Sequence, residues 1–134
     1  MHIAILTFDG YNELDSLIAL GVLNRVRQPD WRVSIATPSP RVRSMNGVVI
    51  ESMASIEDAC AADAVIVGSG TRTREVIADP AIMGPLGRLD PARQLIAGQC
   101  TTSLRSGRRR STWPAPWATS RLTCARTSRP PALV

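Results

Sequence analysis

Cys100 stands at the corner of a segment, Arg93 to Leu104, that reads as a short buried strand stopping at the cysteine and turning directly into a helix. A sulfur at such a corner is held out of the sheet, with helix N–H groups behind it. That partial positive charge favours a thiolate nucleophile. A cysteine after an apolar strand also serves as a small buried hydrophobe, so the other strand ends have to be read with it. Near the start of the chain, Glu13 and Asp15 open a helical pattern. Asp15, pointed into a crevice, could share a proton with the Cys100 sulfur. Equally, both acids could simply complement the helix N-terminus. A third segment, Gly68-Ser69-Gly70-Thr71, follows an apolar run. Its backbone N–H groups, with that of Thr101, could form an oxyanion hole, because glycines let the chain approach a reacting carbonyl. The same glycines suit an ordinary strand-to-helix turn, and they do not complete the six-residue dinucleotide fingerprint. The only histidine, His2, opens the first strand, away from these residues. A Cys-His-Asp hydrolase needs an imidazole base, so here the proton must go to Asp15, to water or to a group from another subunit.

These residues need elements to position them. His2 to Phe8 is continuously apolar, as in a parallel sheet covered on both faces. Asp9 to Asn12 is a turn. A helix follows from Glu13, with Leu14, Leu17, Ile18, Gly21 and Val22 on one face as its core side. Trp31 to Thr37 alternates as a second strand, completing a strand–helix–strand unit with a right-handed crossover. Asn46-Gly47, between Val42 and Val48-Val49-Ile50, predicts a two-residue hairpin. Ser55 and Asp58 stand in capping-box spacing for a short helix ending at Cys60, a core position. Ala64 to Val67 is a further buried strand, Arg74 to Ala78 starts a helix, and Asp79-Pro80 and Asp90-Pro91 punctuate the approach to the strand at 93–98. Strands alternating with helices predict a doubly wound α/β fold, whose ligands bind outside the carboxyl ends of the strands. Cys100, the Gly68–Thr71 loop and the Glu13/Asp15 pair all fall at such ends.

The 134 residues suffice for one domain, and 44% apolar content is globular. No apolar run is long enough to span a membrane, and Met1 leads straight into a strand rather than a signal peptide. Cys60, Cys100 and Cys124 show neither zinc-like spacing nor an even disulfide set. No metal or cofactor is expected, and a reducing cytoplasm is the simplest compartment. The net charge of +5 comes from one region: residues 1–104 carry nine arginines against eleven acids, whereas 105–134 carry seven arginines and no acid. Nucleic-acid binding is therefore not inferred from the total.

Three segments together resemble the DJ-1/PfpI (ThiJ/PfpI, class I glutamine amidotransferase-like) superfamily: Phe8 to Asp15, Asp63 to Thr71, and Ala97 to Leu104. The similarity runs from about residue 2 to 104. It implies a flavodoxin-like fold, usually dimeric, with Cys100 at the elbow and Asp15 as its hydrogen-bonding acid. It also implies an oxyanion site around Gly70 and Thr101. Proteases and amidases of the superfamily place histidine directly after the cysteine. Thr101 stands there instead, which is more similar to the isocyanide hydratase branch, acting on a small molecule without a triad histidine. Thr102 takes a place where Gly or Ala is usual. The alternative is a non-catalytic ligand- or redox-sensing domain of the same fold.

The resemblance stops near Leu104, so two regions are expected: an α/β domain over 1–104, C-terminally incomplete, and a basic Arg/Pro/Ser/Thr tail over 105–134. The tail shows no helical or strand period. All 16 basic residues are arginine, as in a GC-rich gene, and a shifted frame of such a gene yields this kind of composition. The tail is therefore either disordered or frameshifted, and resequencing the gene distinguishes the two. A frameshift would leave the enzyme truncated and inactive.

Overall fold

A computed structural model describes residues 1–99. Four parallel strands form the sheet: β1 (His2–Leu6), β2 (Arg32–Ala36), β5 (Ala64–Val67) and β6 (Leu95–Gly98), in the order β2-β1-β5-β6. This is the doubly wound order in which the chain runs outward from a central first strand, then returns to build the other side. The two short strands β3 (Arg41–Arg43) and β4 (Val49–Glu51) form a separate antiparallel hairpin. The helices are α1 (Glu13–Leu23), α2 (Ile56–Cys60), α3 (Thr73–Ala78) and α4 (Pro80–Leu86).

Both faces of β1 are covered, as its unbroken apolar run requires. Ile3 and Ile5 join Val33 and Ala64 on one face, against Ala19, Leu20 and Leu23 of α1. Leu6 and Val65 lie on the opposite face with Ile56 of α2 and with Ile82 and Leu86 of α4. Successive residues of a strand point to opposite sides, so one short segment anchors two layers. The capping box of α2 is present, with Asp58 N–H donating to Ser55 Oγ at 3.0 Å and Ser55 N–H to Asp58 Oδ2 at 2.9 Å. Cys60 packs against the core cluster of Leu6 and Val65.

Three expectations need correction. The core side of α1 is not the Leu14–Ile18–Val22 row: these three are 66%, 56% and 58% exposed. The helix instead turns Ser16, Ala19, Leu20 and Leu23 inward. Its first turn lies so close to the strand ends that only a small residue fits, and the Ser16 hydroxyl is buried against Thr7 Oγ1 at 3.0 Å. The hairpin has a three-residue loop rather than two. Gly47 N–H closes a turn onto Ser44 C=O at 3.2 Å, and Ser44 N–H bonds Val48 C=O at 2.8 Å. Gly47 at φ +94° is the left-handed residue that such a loop demands. Finally, Asp79-Pro80 does more than punctuate. Asp79 caps α4 by accepting from Ala81 N–H at 2.9 Å, and Pro80 takes the first helical position. The helix expected after Cys100 and the tail at 105–134 lie outside the described residues.

Candidate functional site

At the carboxyl end of β1 the chain turns through Phe8 to Tyr11, with Tyr11 N–H on Phe8 C=O at 3.0 Å and Gly10 at φ +76°. Asn12 then caps α1, its Oδ1 accepting from Leu14 N–H at 3.2 Å. This places Glu13 and Asp15 in the first helical turn, above the sheet edge where β5 and β6 also end.

The two acids go to different places. Glu13 is drawn to the hairpin, where Ser44 Oγ donates to Oε1 and Asn46 Nδ2 donates to Oε2 at 3.0 Å. The Ser44 hydroxyl, aided by Asn46, holds this carboxyl below the usual range. Glu13 thus clasps β3–β4 to the start of α1. Asp15 points the other way, into the loop that follows β5. Ser69 Oγ donates to its Oδ2, while Oδ1 has no hydrogen-bond partner among the described residues.

The β5 loop is locked to the β1 loop backbone to backbone. Asn12 N–H bonds Ser69 C=O and Thr71 N–H bonds Gly10 C=O, both at 2.9 Å, around an antiparallel Tyr11–Gly70 bridge. A Cβ on Gly70 would lie 2.2 Å from the Gly10 carbonyl oxygen, so no side chain fits there. Of the amides expected to face an oxyanion, that of Gly68 is spent on Leu6 C=O at 2.9 Å and that of Thr71 on Gly10. The Gly70 N–H has no partner among the described residues. Gly70 therefore has an amide left to offer, as does Ser69, whose N–H also has no partner among the described residues.

From β6 comes Gln99. Its N–H bonds Val67 C=O at 2.9 Å, extending the β5–β6 ladder, and its side-chain Nε2 donates to Asp15 C=O at 2.9 Å. The carbonyl partner fixes which end of the amide is which. Gln99 Oε1 is then buried with no partner among the described residues. The structure therefore joins Asp15, Ser69, Gly70 and the residue preceding Cys100, while it takes Glu13 elsewhere. Cys100 and Thr101 lie outside the described residues. Ser69 and Gln99 were not singled out from the sequence. The available signal was their polarity at strand ends, where backbone geometry alone would accept a small or apolar residue.

His2 is at the opposite end of β1. Its Nε2 meets Ser34 Oγ at 2.8 Å, and Arg32 donates to its Nδ1 at 2.9 Å. With Nδ1 accepting, the ring proton sits on Nε2, so this imidazole has no lone pair to draw a proton from Ser34. A serine–histidine nucleophile is excluded there. Among the described residues no cluster of His, Cys, Asp and Glu could hold a metal ion, and no helix is long and apolar enough to cross a membrane.

No family profile matches the chain, and no curated protein sequence does. Solved structures do. A DJ-1 superfamily protein from Salmonella typhimurium is similar at TM-score 0.62 and 22% identity, over 72% of this chain and 54% of that one. Drosophila melanogaster DJ-1beta matches at TM-score 0.63 and 19% identity, over 77% of this chain and 56% of that one. A DJ-1 superfamily protein from Agrobacterium tumefaciens matches at 0.56 and 24%, over 73% and 52%. The chain thus spans about half the length of the structures it matches. At these identities the likeness speaks for architecture, and it agrees with the strand order and the helix placement found above. The described residues have the flavodoxin-like α/β fold of the DJ-1/ThiJ/PfpI superfamily.

Proposed function

We propose that this chain carries the site of a cysteine-dependent hydratase or hydrolase acting on a small molecule, of the isocyanide hydratase type. Cys100 is its nucleophile and Asp15 its proton-handling acid. The observation that carries the reading is the Gln99 bond to Asp15: the residue next to Cys100 in the chain is in contact with the backbone of the proposed acid. Support also comes from Thr101 following the cysteine and from the distance of His2 from the crevice.

In this reaction the Cys100 thiolate attacks the terminal carbon of R–N≡C, and that carbon gains a proton delivered through Asp15. The product of this step is a thioimidate. Water adds to the same carbon, and the proton it gives up passes through Asp15 to the imine nitrogen. The C–S bond then breaks as the remaining hydroxyl proton goes to Asp15, the sulfur leaves as thiolate, and R–NH–CHO is released with Asp15 protonated again. The Gly70 and Thr101 N–H groups stabilise the negative charge that develops at the reacting centre. Atoms balance as one isocyanide plus one water giving one N-substituted formamide.

The exposed Leu14, Ile18 and Val22 row on α1 is read as the seat of a second copy of the chain. The decisive assay is formamide production from an isocyanide by the full chain, beside Cys100→Ala and Asp15→Asn. Activity in the parent and at least a hundredfold loss in both variants, on the order of what removing such groups costs, is the expected result. An inactive parent chain sinks the catalytic reading in favour of a non-catalytic chain, either a ligand- or oxidation-sensing domain or a truncated relic of the fold.

A further inference from the structure

Asn46-Gly47, at the tip of the β3–β4 hairpin, takes no part in the reaction proposed above, yet three of its polar groups are held in place. Glu13 of α1 takes two of them: Asn46 N–H donates to Oε1 at 3.3 Å and Nδ2 donates to Oε2 at 3.0 Å. Gly47 N–H donates to Ser44 C=O at 3.2 Å. Both residues are exposed, Gly47 lies at φ +94°, and no heavy atom lies within 4 Å of where its Cβ would be. Asn46 is also the only one of the chain's three asparagines that glycine follows; Glu13 follows Asn12 and Arg25 follows Asn24. An asparagine side chain can be attacked by the backbone nitrogen of the next residue, and glycine alone puts no side chain in the way. This reaction is one source of the thermal lability of asparagine.

We propose that Asn46 is a deamidation site, that Glu13 restrains the reaction, and that the product releases the hairpin from α1. Gly47 N bonds to Asn46 Cγ and the Cγ–Nδ2 bond breaks. One proton passes through water from the Gly47 nitrogen to the departing nitrogen, which leaves as ammonia. Water then opens the resulting five-membered imide, giving aspartate when it attacks Cγ and isoaspartate when it attacks the main-chain carbonyl carbon. One water is consumed and one ammonia released, with no redox change. To begin, the carboxamide must leave Glu13 and Gly47 N–H must leave Ser44, so the rate follows the fraction of time the clasp stands open. Afterwards the Nδ2 donor has been replaced by a charged oxygen, set against the Glu13 carboxylate where the hydrogen bond used to be. Like charges so placed repel, and the contact that joined hairpin to helix now parts them.

The test warms the full chain in mildly alkaline buffer and follows Asn12, Asn24 and Asn46 by peptide mapping that separates asparagine, aspartate and isoaspartate. The expected result is conversion at Asn46 well ahead of Asn12 and Asn24. In Glu13→Ala it is faster by about tenfold, the effect of losing a hydrogen bond to a charged group. Urea midpoints confirm that each variant is folded. Hydrogen exchange then reads the release: the amides of residues 45–48 exchange about tenfold faster in Asn46→Asp than in the parent, for the same lost bond. Adding Glu13→Gln to Asn46→Asp returns them toward the parent rate, because the glutamine amide donates to the new carboxylate. Conversion of Asn46 no faster than that of Asn12 and Asn24 overturns the site. Equal rates in the parent and Glu13→Ala overturn the restraint by Glu13. Exchange that is unchanged in Asn46→Asp, or that Glu13→Gln does not restore, overturns the release by like charge.

Discussion

Gly70 shows how strongly single positions are constrained at this crevice. Its Cβ would press on the Gly10 carbonyl carbon at 2.8 Å and the Tyr11 Cα at 2.8 Å, both backbone atoms. Backbone cannot step aside as the end of a side chain can. Gly70→Ala is therefore expected to lose about 3 kcal/mol, the upper end of overpacking costs, read as a lower urea midpoint. A second residue-scale effect lies at the far end of β1. Burial, then the neighbouring Arg32 charge, holds the His2 imidazole below its ordinary value, against smaller opposing effects of Asp63 and Asp58, with the N-terminal ammonium acting in the same direction as Arg32. The folded chain then binds this proton less readily than the unfolded one. The stability His2 contributes is present above 6.5, the unfolded value, and is lost as pH falls below it toward the folded value. Urea midpoints should fall between pH 7.5 and pH 5.5, and a His2→Asn variant should remove that part of the slope. The stability contributed by the lowered Glu13 carboxyl is present above its unfolded value of 4.5 and is lost in a different window, as pH falls below that value. Cys60 gives a third contrast. Burial, partly opposed by Arg88, pushes its thiol up, and its Sγ–H points to Pro85 C=O at 3.3 Å, so it should alkylate more slowly than an exposed cysteine.

At the scale of elements, α1 explains both what the sequence made legible and what it hid. Its helical period, its start after Asn12 and its place between two strands follow from residue pattern alone. Its inward side did not, because the largest apolar residues are normally the buried ones. Here steric closeness overrides hydrophobicity: Ser16 fits beside Gly68, whose Cβ would already lie 3.1 Å from the serine Oγ. Leu at that position would push the helix away from β1. The displaced apolar row, Leu14, Ile18 and Val22, faces outward. If a second copy covers it, Ile18→Lys should shift the chain from dimer to monomer in analytical ultracentrifugation without lowering the unfolding cooperativity of the monomer. A parent chain that sediments as a monomer at all concentrations removes the idea. The hairpin and α4 illustrate a similar limit. Asn46-Gly47 and Asp79-Pro80 were visible as punctuation, but loop length and helix continuation depend on what packs behind them, Tyr11 in the first case and the Leu6–Val65 core in the second.

At the scale of the whole molecule, four parallel strands and their order carry the fold, and three of the four strand ends converge on one crevice. The convergence was readable because each of those ends bears an unusual residue type: paired acids, spaced glycines and a cysteine. The partners of Asp15 were not, since a serine between glycines and a glutamine before a cysteine acquire meaning only once β1, β5 and β6 are side by side. The Tyr11–Gly70 bridge has one more consequence. It welds two loops that are 59 positions apart into a single piece of scaffold. Neither loop can lengthen or shorten by itself without breaking the bonds at Asn12 and Thr71, so their lengths are free to vary only in concert. Anyone randomising the side chains of this crevice should therefore leave both loops at their present size.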